Sequence, residues 1–334
     1  MAPYSFSHKG SPIGLGFGSL CGVYGPPGTT EERVALLNHA YATGLRFWDL
    51  ADIYGDSEDV VGEWIKQATP AQRDEVFIAT KFGLERQPNG MHTFRTDPEY
   101  VKTACEKSLK RMKVETIDLY YCHRVDGVTP IEKTIQAMVE LKNEGKIRHI
   151  GLSEVSATTL RRAHAVHPIA ALQMEYSLFC LDIESEILET ARELGITIVA
   201  YSPIGRGVLT GQFQSHEAIP EGDLRRMYPK YGQQNFVEIL KLVDGVEKVA
   251  RAHGDGTTPA QVALAWLLAQ DVIPIPGTKS AARMDENAAA GRLELADQEV
   301  LDLRILAQQA AKKIEGTRYP AAVMATLCAD TPPL

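Results

Sequence analysis

The 334-residue sequence has no run of about eighteen apolar residues, so it offers no membrane-spanning helix. Its N-terminal stretch, MAPYSFSHKGSP, lacks the apolar centre of a secretory signal. Its five cysteines, Cys21, Cys105, Cys122, Cys180 and Cys328, are scattered, with no C-x-x-C pair and no histidines at zinc spacing. That sparse, odd set points to reduced thiols in a cytoplasmic protein that holds no metal. Positive charge is short as well: 35 Lys and Arg against 43 Asp and Glu leave a net charge of −8. The imbalance argues against a nucleic-acid-binding face but allows a local cationic pocket. The sequence also contains no H-E-x-x-H, no phosphate-binding P-loop and no G-x-S-x-G, which argues against zinc proteases, P-loop nucleotide hydrolases and serine hydrolases.

What is present is an ordinary globular composition, 44% hydrophobic and 23% charged, ample for a large core. Short apolar or β-branched runs recur at residues 13–18, 45–50, 76–81, 117–123, 148–153, 170–175, 197–202 and 272–276. Amphipathic stretches separate them, with apolar Ile131, Ile135, Met138 and Leu141 on one helical face. Helix starts are expected at Thr29 with Glu32, Thr129 with Glu132, Thr258 with Gln261, and at Asp97 before Pro98. Gly44, Gly145 and Gly195 each stop a helix just before a strand. Eight β-α repeats predict parallel strands and an α/β fold, a (β/α)₈ TIM barrel. A doubly wound sheet is the rival. One domain is expected over residues 1–334, with a core at 10–315, a loop at 207–236 and a tail at 317–334.

In such a barrel the chemistry belongs at the C-terminal ends of the strands. Those ends carry Gly18-Ser19, Asp49, Lys81, His123, Ser153-Glu154, Gln173, Glu175, Tyr201-Ser202 and Gly277-Thr278-Lys279. The glycine-rich start at Gly14 is not a dinucleotide fingerprint: the sixth position from Gly14 is Ser19, and from Gly16 it is Cys21. These glycines are expected to serve close packing or the approach of a ligand to the backbone. Taken singly, Asp49 reads as a helix cap, Tyr54 as a surface tyrosine, Lys81 as a snorkelling cation and His123 as a structural hydrogen-bonding group. Asp52 reads as solvated. Together, Lys81 has two chemical readings, a Schiff-base nucleophile or a fixed charge that makes a neighbouring phenol a stronger acid. An aspartate one strand away favours the second. The stretch from Gly277 to Arg283 opens a helix with Thr278, Lys279 and Arg283, an anion-binding pattern that reads as a phosphate site.

The segments GLRFWDLADIYG, FIATKFG, DLYYCHRVD, GKIRHIGLSE, LQMEYSLF, AYSPIGRGVLTG and IPIPGTKSAARMDEN fall in one order. In that order the chain resembles the aldo-keto reductase superfamily over about residues 10–315, and its pyridoxal reductase-like fungal branch in particular. The resemblance implies a barrel that binds NADP(H) without a Rossmann domain and reduces a small carbonyl substrate. It implies Tyr54 as general acid, tuned by Lys81 and Asp49, with His123 orienting the carbonyl. For the cofactor it implies Gly18, Ser19, Ser153, Gln173, Tyr201, Ser202, Pro203, Ile204, Gly205, Arg206, Gly277, Thr278, Lys279, Arg283, Glu286 and Asn287. Ser153 and Gln173 would hold the carboxamide, Tyr201 would stack on the ring, and Lys279 with Arg283 would meet the 2′-phosphate. Glu154 departs from the Ser-Asn pair of many members, and a carboxylate cannot donate to a carboxamide oxygen. Two other functions stay open at this level: a cofactor-binding regulatory protein like the potassium-channel β subunits, and a Schiff-base aldolase using Lys81. The sequence does not set the oligomeric state.

Overall fold

The structure, a computed structural model, describes residues 7–87, 92–254 and 256–334; the first six residues of the N-terminal stretch lie outside the described residues. Eight parallel strands form one sheet: β1 (Leu15–Gly16), β2 (Phe47–Asp49), β3 (Phe77–Phe82), β4 (Ile117–Cys122), β5 (Ile147–Ser153), β6 (Ala171–Glu175), β7 (Thr197–Tyr201) and β8 (Val272–Pro274). Strand order follows chain order, and Gly14 N donates to Pro274 O at 2.9 Å and Gly16 N to Pro276 O at 3.2 Å. Those bonds join the first strand to the last and close the sheet into a barrel. The doubly wound alternative, which has two open edges, is excluded. An antiparallel hairpin, Leu84–Arg86 with His92–Phe94, stands outside the barrel.

The longer helices are α1 (Thr30–Ala42), α2 (Ser57–Ile65), α3 (Pro98–Met112), α4 (Ile131–Asn143), α5 (Ala157–Val166), α6 (Ile187–Glu193), α7 (Phe236–Ala252), α8 (Pro259–Leu268), α9 (Ala281–Ala289) and α10 (Asp297–Ala311), with short ones at Pro70–Glu75 and Ala321–Met324. The expected capping boxes are found at Thr29 with Glu32 and at Thr258 with Gln261, and Asp97 caps α3 through Tyr100 N. Thr69 with Gln72 forms a further box that the sequence reading missed. The expected cap at Thr129 does not form. The Asp126 carboxylate takes both the Thr129 hydroxyl and its N–H at 2.7 Å, and α4 starts two residues later. Gly44, Gly145 and Gly195 stop their helices at φ +85°, +78° and +67°, where any β-carbon is strained.

Two cores follow from the period of two along each strand. Phe47, Phe77, Ala79, Leu119, Tyr121, Ala171, Val199 and Ile273 fill the barrel interior. Their neighbours Trp48, Ile78, Tyr120, Leu172 and Ile198 face the helices. Gly151 lies opposite Tyr121, and a β-carbon there would come within 2.4 Å of the Tyr121 ring, so glycine makes room for the larger residue. The same inward parity carried one step up the strands reaches Asp49, Lys81, His123, Ser153, Gln173 and Tyr201. The fold therefore gathers these six residues at one end of the barrel.

Candidate active site

Above the packed interior opens a cavity of about 910 Å³. Asp49, Tyr54, His123, Ser153, Gln173, Tyr201, Ser202, Pro203, Ile204 and Arg206 line it, with Gly18, Ser19, Gly277, Thr278, Lys279, Arg283, Glu286 and Asn287. Two of the predicted site residues are not on its wall. Lys81 lies fully buried beneath it, and Gly205, at φ +56°, shapes the loop behind it.

Lys81 Nζ binds Asp49 Oδ1 and the carbonyl of Leu50. The other Asp49 oxygen accepts from Gln173 Nε2 at 2.7 Å, so one carboxylate ties together strands β2, β3 and β6. Complete burial pushes the Asp49 carboxyl up, against the pull of Lys81 and Gln173. Lys81 Nζ also lies 5.2 Å from the centre of the Tyr54 ring. Tyr54 sits on the β2–α2 loop, its N–H bonded to Ala51 O and its carbonyl to Ser57 N. Asp49 is therefore neither a helix cap nor solvated, and Lys81 does not snorkel. With no exposed surface, Lys81 is also poorly placed to attack a carbonyl in the cavity, as a Schiff-base enzyme requires.

His123 meets the Tyr54 ring edge-on at 5.8 Å. Its burial, with Arg124 and Lys81 nearby, pushes the imidazole well below its ordinary value, so the ring is neutral. Its Nδ1 is buried without a hydrogen-bond partner among the described residues. Arg124, which sequence reasoning missed, donates to the Ser153 hydroxyl at 3.0 Å and to the His123 carbonyl. The signal for it was its place directly after a strand-end histidine.

Asp52 corrects an expectation. Its Oδ1 is buried without a hydrogen bond among the described residues, and burial followed by the nearby Glu58 pushes its carboxyl up to about 7. The glycine-rich start, in contrast, serves close packing as expected. A β-carbon at Gly16 would lie 2.7 Å from Ile275 O, and one at Gly14 2.7 Å from the Phe47 ring.

Three non-glycine residues at the site, Glu154, Ser202 and Arg206, hold left-handed backbone at φ +48°, +51° and +53°. Such strain collects where the surrounding structure imposes it, and no residue type announces it in the sequence. Glu154 is fully buried and turns its carboxylate to Arg318 in the tail, with 3.0 Å contacts to both Nη atoms. Against the penalty of burial, Arg318 holds the Glu154 carboxyl down at about 2. Arg206 pairs with Glu175 at 2.9 Å and lies between the rings of Tyr228 and Tyr319, 4.5 Å from each. At the far end, Lys279 Nζ binds the carbonyls of Tyr24 and Pro26, Arg283 is exposed, and Asn287 is buried.

Residues 12–308 match the model of the Aldo/keto reductase family. The chain belongs to this family. Among its similar relatives is an aldo-keto reductase named str7 from Strobilurus tenacellus, 48% identical over 96% of this chain and 95% of that one. Another is the aldo-keto reductase yakc [NADP(+)] of Schizosaccharomyces pombe, 45% identical over 96% of this chain and 95% of that one. Among solved structures, a glycerol dehydrogenase of Gluconobacter oxydans superposes with a TM-score of 0.82 at 27% identity, covering 95% of this chain and 96% of that one. As an aldo/keto reductase, the chain is an oxidoreductase of carbonyl compounds, and it shares its fold with that solved glycerol dehydrogenase. Among the described residues no helix is long and apolar enough to cross a membrane.

Proposed function

We propose that the protein reduces an aldehyde or ketone to an alcohol with NADPH, pyridoxal being the first compound to test. The observation that carries the reading is the buried Asp49–Lys81 pair set beneath the ring of Tyr54 on the cavity wall. A cation fixed beside a phenol stabilises the negative charge left when the phenol releases its proton. Tyr54 is then the general acid that protonates the carbonyl oxygen, and the neutral His123 orients that oxygen. Bound NADPH supplies the hydride that the carbonyl carbon takes up.

The residues present fit that cofactor. Lys279 spends two of its three ammonium protons on backbone carbonyls, leaving the third for an anion. Arg283 and Thr278 stand beside it at the start of α9, where helix N–H groups favour negative charge. In this reading Lys279 and Arg283 meet the 2′-phosphate, and Glu286 with Asn287 the adenine end. Residues 202–206 follow the pyrophosphate, with Gly18, Ser19 and Gly277 lining its path. Ser153 and Gln173 hold the carboxamide, and Tyr201 faces the ring. The cavity wall also carries the rings of Tyr24, Phe213, Tyr228 and Tyr319, which would suit a planar aromatic carbonyl such as pyridoxal. One barrel domain carries the whole function, with the 207–236 loop and the 317–334 tail setting substrate choice. NADPH oxidation measured against a panel of aldehydes and ketones tests the reading. Turnover of at least one member is expected, and turnover of none would refute it.

A further inference from the structure

Glu154 receives more donors than its place in the chain suggests. Its Oε1 accepts from Arg318 Nη1 at 3.0 Å, from Tyr201 OH at 2.9 Å and from Glu175 N at 3.1 Å. Its Oε2 accepts from Arg318 Nη2 at 3.0 Å, with the Cys328 thiol 3.6 Å away. Only an acceptor satisfies all of these; an amide would turn its NH₂ against donors. Glu175, 3.4 Å from Arg318 and paired with Arg206, completes a buried cluster of two carboxylates and two guanidinium groups. Burial makes such a cluster tolerant of no missing member.

The cluster holds two rings of the cavity wall. Tyr201 is tied to Glu154 directly. Tyr319 follows Arg318 in the chain, bonds to Tyr201 OH at 3.2 Å, and covers the Arg206 guanidinium opposite Tyr228. Downstream the tail is fastened to the same turn: Cys328 N donates to Glu154 O, Ala329 pairs with Val155, and Arg162 holds Thr331 and Pro332.

We infer that Glu154 is a positioning residue that, through Arg318, locks Tyr201 and the tail residue Tyr319 into one wall, and that this wall selects aromatic over small aliphatic carbonyl compounds. The inference rests on the carbonyl-reduction reading for its substrate half; its positioning half is independent of turnover. The test uses full-length Glu154→Gln, Arg318→Met and Tyr319→Ala, with pyridoxal and propanal as substrates. Hydrogen exchange over residues 317–332 is followed in each. All three variants should raise KM for pyridoxal at least about tenfold more than they raise KM for propanal. Exchange in the tail should rise about tenfold or more in Glu154→Gln and Arg318→Met and stay at the wild-type level in Tyr319→Ala. Arg318→Lys should recover part of both effects. Tyr319→Ala leaves the ion cluster whole, so it reports on the wall even where the buried-charge variants fail to fold. Unchanged tail exchange in Glu154→Gln and Arg318→Met would overturn the clamp. Equal KM increases for both substrates would overturn the selectivity. Wild-type protein inactive on both compounds would count against the carbonyl-reduction reading, and exchange would still decide the clamp.

Discussion

Asp52 sits between Asp49 and Tyr54 with one carboxylate oxygen buried and unbonded. Its neighbours include Glu58, which raises it further, and Lys107 and Arg111, which pull it down without prevailing. With a folded value near 7 against an ordinary 3.8, the folded protein holds a proton there that the unfolded chain releases. Stability therefore falls as pH rises from about 4 to about 7, by on the order of 4 kcal/mol for this one group. Asp52→Asn should raise Tm by a few degrees at pH 8 and much less at pH 5 in paired thermal melts. A gain independent of pH would place the effect elsewhere. Glu154 has the opposite sign. Its carboxyl is held at about 2, below its ordinary 4.5, so its contribution is complete above about pH 4.5 and is lost toward pH 2. That loss amounts to about 3 kcal/mol. Urea midpoints should drop between pH 5 and pH 3 in the wild type and drop distinctly less in Glu154→Gln.

At the scale of elements, the strands were the most legible part of the chain. Nearly every strand-like run ended on or beside a polar residue, and a period of two placed Asp49, Lys81, His123, Ser153, Gln173 and Tyr201 on the interior face together. Helix stops at glycine and the box at Thr258 were legible because their chemistry is local. What escaped depended on distant partners. Glu154 departs from a common pattern for a reason lying 164 residues away, at Arg318. Asp52 looked solvated because nothing nearby in sequence shows that α2 and α3 close over it. Thr129 had the form of a cap, but its hydroxyl and N–H both donate to Asp126, three residues back, and the helix begins only at Ile131. The start of α9 gives the prediction at this scale. Replacing Lys279 and Arg283 together with alanine should weaken NADPH binding by about tenfold or more and leave NADH within about twofold, read by fluorescence titration. Equal weakening of both would remove the 2′-phosphate assignment.

The whole molecule has a net charge of −8, yet it gathers Lys279 and Arg283 at one end of its cavity and Arg124 and Arg206 toward the other. A closed barrel makes this possible: interior residues exclude water below, and the loops above are free to carry charge. A cofactor bound only by the folded barrel stabilises it by mass action, about 2.7 kcal/mol at a hundred times Kd. NADPH at that ratio should raise the melting temperature of the entire chain, and the double alanine variant should show a smaller rise at the same concentration. The central claim is that Tyr54, with Lys81 beneath it, gives its proton to a carbonyl oxygen. The most direct measurement is kcat of Tyr54→Phe on the best carbonyl substrate found, with NADPH affinity measured alongside. The account predicts a fall of about 10²-fold or more with NADPH binding unchanged; a variant that turns over at the wild-type rate would contradict it.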